Sequence, residues 1–319
     1  MPDKAQDKLL LALSGRGTIN GEYVSSARCG KDEVAKTLEG FRTYSFALPL
    51  KQTAQVLFGL TEEQMWNDKL KNVPIEAWGM SPRLIYQRLG TEGAREVFDP
   101  SMWATQAMFV WDDVREGRPN ATQHTSPTAT TSTPPASIED FERMIRIAAQ
   151  TMFQLSDADI FQSETCDSNL SRWPFSFAHI VDTIKTKTIP AILDLPPEEA
   201  MLRFVEVRST LPFVEKSSQG PYGTPPDVAR GVVVPDCRFD NEADIVRENG
   251  GHVIHVCREL PPGIEVVKGH ASEQGVSIKP GDLQIVNDGS LEDLRNKAQA
   301  ALVQLSPNWF NTPTQGPGL

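Results

Sequence analysis

Two uninterrupted apolar runs constrain this chain most: "KLLLALSG" at 8–15 and "RGVVVPDCRF" at 230–239. A strand with one wet face alternates apolar and polar residues. These runs do not, so each is expected to be buried on both faces, as in a parallel sheet covered by helices. Helical spacing follows each: "KDEVAKTLEGF" (31–41) after the first, "NEADIVRENG" (241–250) after the second, then the strand-like "HVIHVCR". "LQIVNDGS" (283–290) reads as one more short strand, and "LEDLRNKAQAALVQL" as a final amphipathic helix. Between the two runs, "SFALPLKQTAQVLFG" (45–59) reads as strand or loop and then helix, stopped by Gly59. "SPRLIYQRLGTEGAREVF" (81–98) begins helical, with Pro82 suited to a first turn.

The alternation of strand and helix breaks in the middle. "GRPNATQHTSPTATTSTPPAS" (117–137) has almost no large apolar residue and cannot bury enough surface to offset its chain entropy, so it is expected to be a disordered Ser/Thr/Pro-rich linker. A helical segment follows at 138–154, and a second linker, "EKSSQGPYGTPPD", at 215–227. The expected organisation is one α/β domain with a long, largely helical insertion. Its core falls in 1–116 and 230–305, its linker in 117–137, an insertion or lid-like module in 138–229 and a flexible tail in 306–319.

"SSARCGKDEVAKTL" (25–38) places Gly-Lys at the start of a helix. A phosphate-binding loop needs backbone N–H groups curved into a nest, a glycine that permits the curve, and a lysine that reaches the β and γ phosphates. Gly30, Lys31 and the helix end meet that need, although no Ser or Thr follows the lysine. The preceding strand ends early: Gly15 lies fifteen residues before Gly30, where such loops space the two glycines about five apart. Either "GTINGEYVSS" is an insertion, or "EYVSS" is the strand and Ser25 takes the first glycine's place. The better apolar run favours the insertion, projecting from 16–26 as a hairpin or flap with Gly17 and Gly21 easing its turns.

Charge narrows the partners. With 31 basic and 42 acidic residues the net charge is −11, which argues against a nucleic-acid polymer, since phosphate backbones need a basic face. A small nucleotide needs only a few local cations. Hydrophobic residues make up 39% of the chain, enough for a sizeable core. Cys29, Cys166, Cys237 and Cys257 show no metal-binding spacing and read as reduced thiols. No apolar run approaches the roughly 18 residues of a membrane span, and "MPDKAQDK" lacks a signal pattern. The expectation is a cytoplasmic protein with no membrane partner.

Other blocks carry a resemblance. "SFALPLK…LFGL…WGMSPRLIYQRLGTEGAREVFDPSMW", "VVVPDCRFDNEADIVRENGGHVIHVCR" and "GHASEQG…IVNDGSLEDL" resemble the bacteriophage-type deoxynucleoside monophosphate kinase family, within the P-loop nucleoside monophosphate kinases. That family's loop is similar to S-G-x-x-R-S-G-K-D-T. Arg28, Gly30, Lys31 and Asp32 match it, while Cys29 and Glu33 depart, as does Leu48, where "FADPLK" is the commoner form. The resemblance covers roughly residues 8–112 and 230–302.

The resemblance implies transfer of the ATP γ-phosphoryl group to a dNMP, giving dNDP and ADP, with Mg²⁺. It implies that Arg28, Cys29, Gly30, Lys31, Asp32 and Glu33 hold ATP and that Lys31 bridges its phosphates. Arg83 would clamp the substrate monophosphate with its planar fork, and Arg95 would join it or pair with Glu92. Lys51, Ser81, Thr91 and Glu92 would complete the substrate side. Asp236, at a strand's carboxyl end, would orient substrate, hold Mg²⁺ through water together with Asp32, or serve only as a turn residue. Arg238, on the same side of an extended chain, would be a phosphate contact. Asn241 and Glu242 open the next helix, as substrate contacts or as caps. Trp78 and Trp103 could stack on a base or pack apolarly. His270, Ser272 and Glu273 match an H-x-S-E block, with Ser272 and Glu273 as substrate contacts or structural bonds, whereas His124 and His179 read as incidental. A homodimer remains open. The alternatives are a nucleotide-binding protein with weakened or lost catalysis, or another small-molecule P-loop kinase such as a dephospho-coenzyme A kinase.

Overall fold

The computed structural model describes residues 8–25, 28–118, 134–213, 229–261 and 275–307. The expected linker at 117–137 and that at 215–227 lie largely or wholly outside them, as do His124, His270, Ser272 and Glu273. The chain divides into two compact units. The first comprises 1–46, 103–120 and 224–319, and the second 47–102 and 121–223. The segment expected as the first part of the core therefore contributes to both.

Unit 1 is a parallel sheet flanked by helices. Its strands are β1 (Leu9–Ile19), β2 (Glu22–Ser25), β3 (Phe41–Thr43), β4 (Gly231–Val234), β5 (His252–Glu259) and β6 (Leu283–Val286). The order is β3-β4-β1-β5-β6, all neighbours parallel, with β2 antiparallel to β1. Leu9, Leu11 and Leu13 of β1 point to one face, where Val233, Ile254, Val256 and Ile285 join them in a core with Val34, Ala35, Leu294, Ala298 and Leu302. The last five belong to α1 (Lys31–Thr37) and α12 (Leu291–Leu305). Full burial of a leucine of this kind contributes about 1.5–3 kcal/mol. Leu10 points the other way, toward α11 (Asp240–Glu248), whose Val246 packs close to it across Gly251. Both faces are covered, which is why the β1 and β4 runs do not alternate.

Unit 2 is helical among its described residues. It holds α2 (Ala47–Phe58), α3 (Glu62–Trp66) and α4 (Pro82–Gly90), the last continuing into a π-helical turn at Thr91–Arg95. The next helix, α5 (Met102–Arg115), begins at the boundary and runs in unit 1. Unit 2 resumes with α6 (Ile138–Phe153), α7 (Asp157–Cys166), α8 (Phe177–Thr183), a second π turn at Ile184–Thr188, α9 (Ile189–Leu193) and α10 (Pro197–Arg208). Its core includes a fully buried Arg208, whose guanidinium donates to the carbonyls of Val56, Leu211 and Pro212. Burial among these neutral acceptors lowers its pKa to about 10.

Over its described residues, 16–25, the extension takes the expected hairpin form, and that hairpin is continuous with the sheet. β1 runs on to Ile19, pairing with β5 as far as Thr18–Glu259, then turns at Asn20-Gly21 and returns as β2. Both turn residues have positive φ (54° and 80°), the requirement of a two-residue hairpin that Asn-Gly meets at least cost. Gly21 thus eases the turn as expected. Gly17 instead marks a shift in the β1–β2 register.

Candidate functional site

After the β1–β2 hairpin the chain runs to β3 on one side, and from β5 it runs to β6 on the other. In open parallel sheets such a switch point leaves a crevice beyond the strands' carboxyl ends, where ligands bind. The Arg28–Lys31 turn is held there. The Asn287 side chain, just past β6, donates to the Cys29 carbonyl at 2.9 Å, and Arg258 at the end of β5 donates to that of Arg28 at 3.4 Å. Two left-handed residues, Arg28 (φ 61°) and Gly30 (φ 96°), curve the chain into α1. Glycine is required at 30: a methyl group there would sit 2.6 Å from Asn287 Nδ2 and 2.9 Å from Leu294 Cδ2. The Gly30 carbonyl accepts from Glu33 and Val34, so the helix starts at Lys31.

Within the turn, Cys29 is fully buried. Burial pushes its thiol up to about 11 against the opposing influence of Lys31, the Arg16 backbone and Arg258. The Lys31 side chain is only 14% exposed and pairs with Asp32 at 2.6 Å, while the Asp32 side chain is 59% exposed. Glu33 turns outward to pair with Lys36. Asparagine 287 and Arg258 are the loop's supports that sequence reasoning did not single out; Asn287 stood in the quoted "IVNDGS" block, at the end of a strand.

Asp236 follows β4 and is buried. Its carboxylate accepts from the Ser45 hydroxyl at 2.8 Å and from the Phe46 N–H at 3.0 Å, tying the end of β4 to the segment after β3. In the same segment the Tyr44 hydroxyl donates to Gln106 at 2.8 Å, and burial raises its pKa well above the usual value. Glu242 is buried and accepts from the N–H groups of Arg238 and Phe239, so it caps the start of α11. Arg238 is half-buried and Asn241 exposed. Trp103 lies in the interior of unit 1 at 3% exposure. Arg42 was not anticipated: buried on β3 near Asp113, it has a pKa lowered to about 10 by burial, against the opposing pull of Asp113.

Unit 2 brings a second set together. Lys51 Nζ lies 4.0 Å from the centre of the Trp66 ring and 5.8 Å from that of Tyr86, and it donates to the Met65 carbonyl at 3.1 Å. The Asp68 carboxyl is held below its usual range by its bond to Lys71, with smaller contributions from Lys51 and Arg83, and the Arg83 N–H donates to the Lys71 carbonyl at 2.9 Å. The Tyr86 hydroxyl is buried with no hydrogen-bond partner among the described residues, and burial raises its pKa well above the usual value. Ser81 caps α4 by accepting from Leu84 N–H, with Pro82 as the first helical residue. Thr91, Glu92 and Arg95 lie on the π turn. Trp78 packs against Phe58 and Phe204 and donates to the Phe58 carbonyl, so it serves the core. His179 stacks on Phe175.

Among the described residues no group of three or more His, Cys, Asp or Glu side chains is arranged to hold a metal ion. No helix among them is long and apolar enough to cross a membrane.

Residues 225–298 match the family model described as deoxynucleotide monophosphate kinase. This span holds Asp236, Arg238, Asn241, Glu242, Arg258 and Asn287, and leaves the Arg28–Glu33 turn and the unit 2 residues outside it. The deoxynucleotide monophosphate kinase of Enterobacteria phage T4 is 47% identical over 70 residues, 22% of this chain and 28% of that protein. That of Escherichia phage RB69 is 44% identical over 70 residues, again 22% and 28%. A putative deoxynucleotide monophosphate kinase of Acanthamoeba polyphaga mimivirus is 43% identical over 63 residues, 19% of this chain and 31% of its own. The matched stretch thus spans less than a third of each of these relatives. Across the β4–α11–β5–β6 part of its sheet, this chain is similar to deoxynucleotide monophosphate kinases.

Proposed function

We propose that the protein is a deoxynucleoside monophosphate kinase, transferring the γ-phosphoryl group of ATP to a dNMP to give dNDP and ADP. The observation that supports this best is in unit 1. The turn bearing Gly30 and Lys31 is hydrogen-bonded to Arg258 and Asn287 of the very block that resembles these kinases. Phosphoryl transfer asks a protein for positioning and charge neutralisation more than for covalent chemistry. ATP with Mg²⁺ supplies the transferable group and the metal's charge. Lys31 then exchanges Asp32 for phosphate oxygens, and the curved backbone from Arg28 to Asp32 presents N–H groups to them.

The donor set suits Mg²⁺, which prefers one or two carboxylates beside phosphate and water over a cage of protein ligands. Asp32, with its exposed carboxylate, is the first candidate. Asp236, already bonded to Ser45 and Phe46, would act through water while it orients that segment. In unit 2, Lys51, Arg83 and Arg95 bind the monophosphate, Arg83 through its two-pronged fork. Arg238 is proposed as a further phosphate contact.

A coupled ADP-release assay on the purified protein, with ATP, Mg²⁺ and a panel of dNMPs and NMPs, tests the reading. Turnover with at least one dNMP is expected. If none turns over while ATP still binds, the protein is a nucleotide-binding protein without kinase activity.

A further inference from the structure

The π turn at Thr91–Arg95 decides which way Arg95 faces. In an uninterrupted α-helix each residue advances about 100°, so Arg95, twelve positions after Arg83, would lie roughly 120° round from it. A π turn bonds i to i+5 and so holds one extra residue. The Glu96 N–H donates to the Thr91 carbonyl at 3.0 Å, an i to i+5 bond, and Phe98 returns to the i to i+4 pattern on Ala94. One extra residue sets Arg95 back by about 100°, to within roughly 20° of Arg83.

Neighbours on both sides confirm the phase. Arg88 donates to the Ile192 carbonyl at 2.8 Å, and a methyl group on Gly93 would lie 3.2 Å from Ile192 Cγ1. Both residues therefore face α9, although an unbroken α-helix would hold them about 140° apart. On the other flank Gly90 approaches Leu50 and Tyr86 approaches Lys51, so α2 borders the Arg83 side.

We infer that the π turn is the device that brings Arg95 onto the face of Lys51 and Arg83, making one three-cation surface for a phosphate group, and that Thr188 is the positioning residue that holds it. Thr188 is fully buried at the end of the second π turn, and its hydroxyl donates to the Gly93 carbonyl at 2.7 Å. It thereby satisfies a carbonyl inside the irregular turn. The inference rests on the substrate-phosphate role proposed for unit 2. An unbroken helix would instead aim Arg95 toward Arg88, with no share in that role.

The probe is inorganic phosphate, followed by NMR of the arginine Nε–Hε groups, alongside dNMP kinetics. The Arg83 and Arg95 signals should titrate together with one Kd. Arg95→Ala should weaken phosphate binding about tenfold and raise the dNMP KM, with the ATP KM unchanged. Thr188→Val should weaken phosphate binding about fivefold and Thr188→Ser restore it. In the Arg95→Ala background Thr188→Val should change phosphate affinity no further, since it acts through Arg95. If Thr188→Val does not fold, the Arg95→Ala and NMR results decide alone. Joint titration without dNMP turnover would sink the kinase reading and leave the shared anion face standing. Turnover with dNMPs, together with an Arg95→Ala protein unchanged in phosphate affinity and dNMP KM, would sink the shared face and leave the kinase reading.

Discussion

Asp236 offers the sharpest separation of a positioning role from a metal-binding one. Its carboxylate accepts one bond from a buried hydroxyl and one from a backbone N–H. Hydrogen bonds to a charged acceptor are worth about 1.5–3 kcal/mol each when buried. Asp236→Ala removes both and leaves the Phe46 N–H without its carboxylate, so we expect unit 1 to lose about 3–5 kcal/mol. Asp236→Asn behaves differently. The asparagine oxygen can still accept from Phe46 N–H, and its amide can donate to Ser45, whose hydroxyl accepts as readily as it donates. At these two bonds only the charge assistance is lost, at a cost of about 1 kcal/mol. Urea denaturation reports the global change. Hydrogen exchange at the Phe46 amide reports the local one and should speed up about 10²-fold in the alanine variant, but less than tenfold in the asparagine variant. The positioning argument is refuted if the alanine variant exchanges at the wild-type rate, or if both variants lose equal stability. A stable asparagine variant whose Mg²⁺ requirement for turnover shifts strongly would mark Asp236 as a metal contact as well.

The other predictions concern the loop, the substrate side and pH. Lys31→Ala should lower kcat/KM by about 10² or more while changing stability by less than about 0.5 kcal/mol, because its side-chain partner among the described residues is the exposed Asp32; activity within threefold of wild type would exclude the loop assignment. Arg83→Lys keeps the charge and loses the fork, so dNMP kcat/KM should fall about tenfold with ATP affinity nearly unchanged, and weakened ATP binding alone would reassign the residue. His255 is fully buried, its Nε2 on Asp282 at 2.9 Å. Burial lowers its pKa, and Arg247 and Arg16 add to this against the opposing pull of Asp282. The unfolded imidazole takes its proton near 6.5, before the folded one does. Stability should therefore be full above that pH and fall as pH drops through the folded value. Burial pushes Asp282 up, but its bonds from Arg247, Lys279 N–H and His255 outweigh this and leave its pKa lowered, so a further loss follows at more acidic pH. An NMR titration placing the His255 midpoint at or above 6.5 would contradict this.

The sheet was legible where burial on both faces imposes a pattern. Leu9–Leu13 and Val232–Val234 could be little else than central parallel strands. The hairpin at 16–26 was legible, but not that its first arm continues β1, because past Gly15 the run turns mixed ("RGTI") and burial no longer selects it. Lys31 and Gly30 were legible as a turn-to-helix junction. What holds the turn was not: Asn287 and Arg258 are more than two hundred residues away, a distance that only the sheet order closes. Asp236 showed as a strand-end carboxylate, but its bonds to Ser45 and Phe46 depend on β3 and β4 lying side by side. Glu242 had two readings from its place at a helix start, and its bonds to Arg238 and Phe239 N–H show the capping one at work. The π turns left no trace in residue pattern, since apolar spacing averages over the one-residue difference between an i+4 and an i+5 ladder.

The burial of Cys29 has a chemical consequence for the loop. Burial pushes its pKa up to about 11, so at neutral pH the thiolate, the form that attacks alkylating agents and disulfides, is strongly disfavoured. In the phosphate-binding role proposed for this turn, a cysteine would ordinarily be a point of oxidative failure, because a sulfenic acid or mixed disulfide there would fill the space the backbone needs. Here the sulfur behaves as a small hydrophobe packed beneath the turn. The exposed Cys166 is the thiol that a maleimide or a peroxide meets first, on a helix of the other unit. The loop can therefore carry a buried sulfur that is shielded from reagents reaching the exposed Cys166.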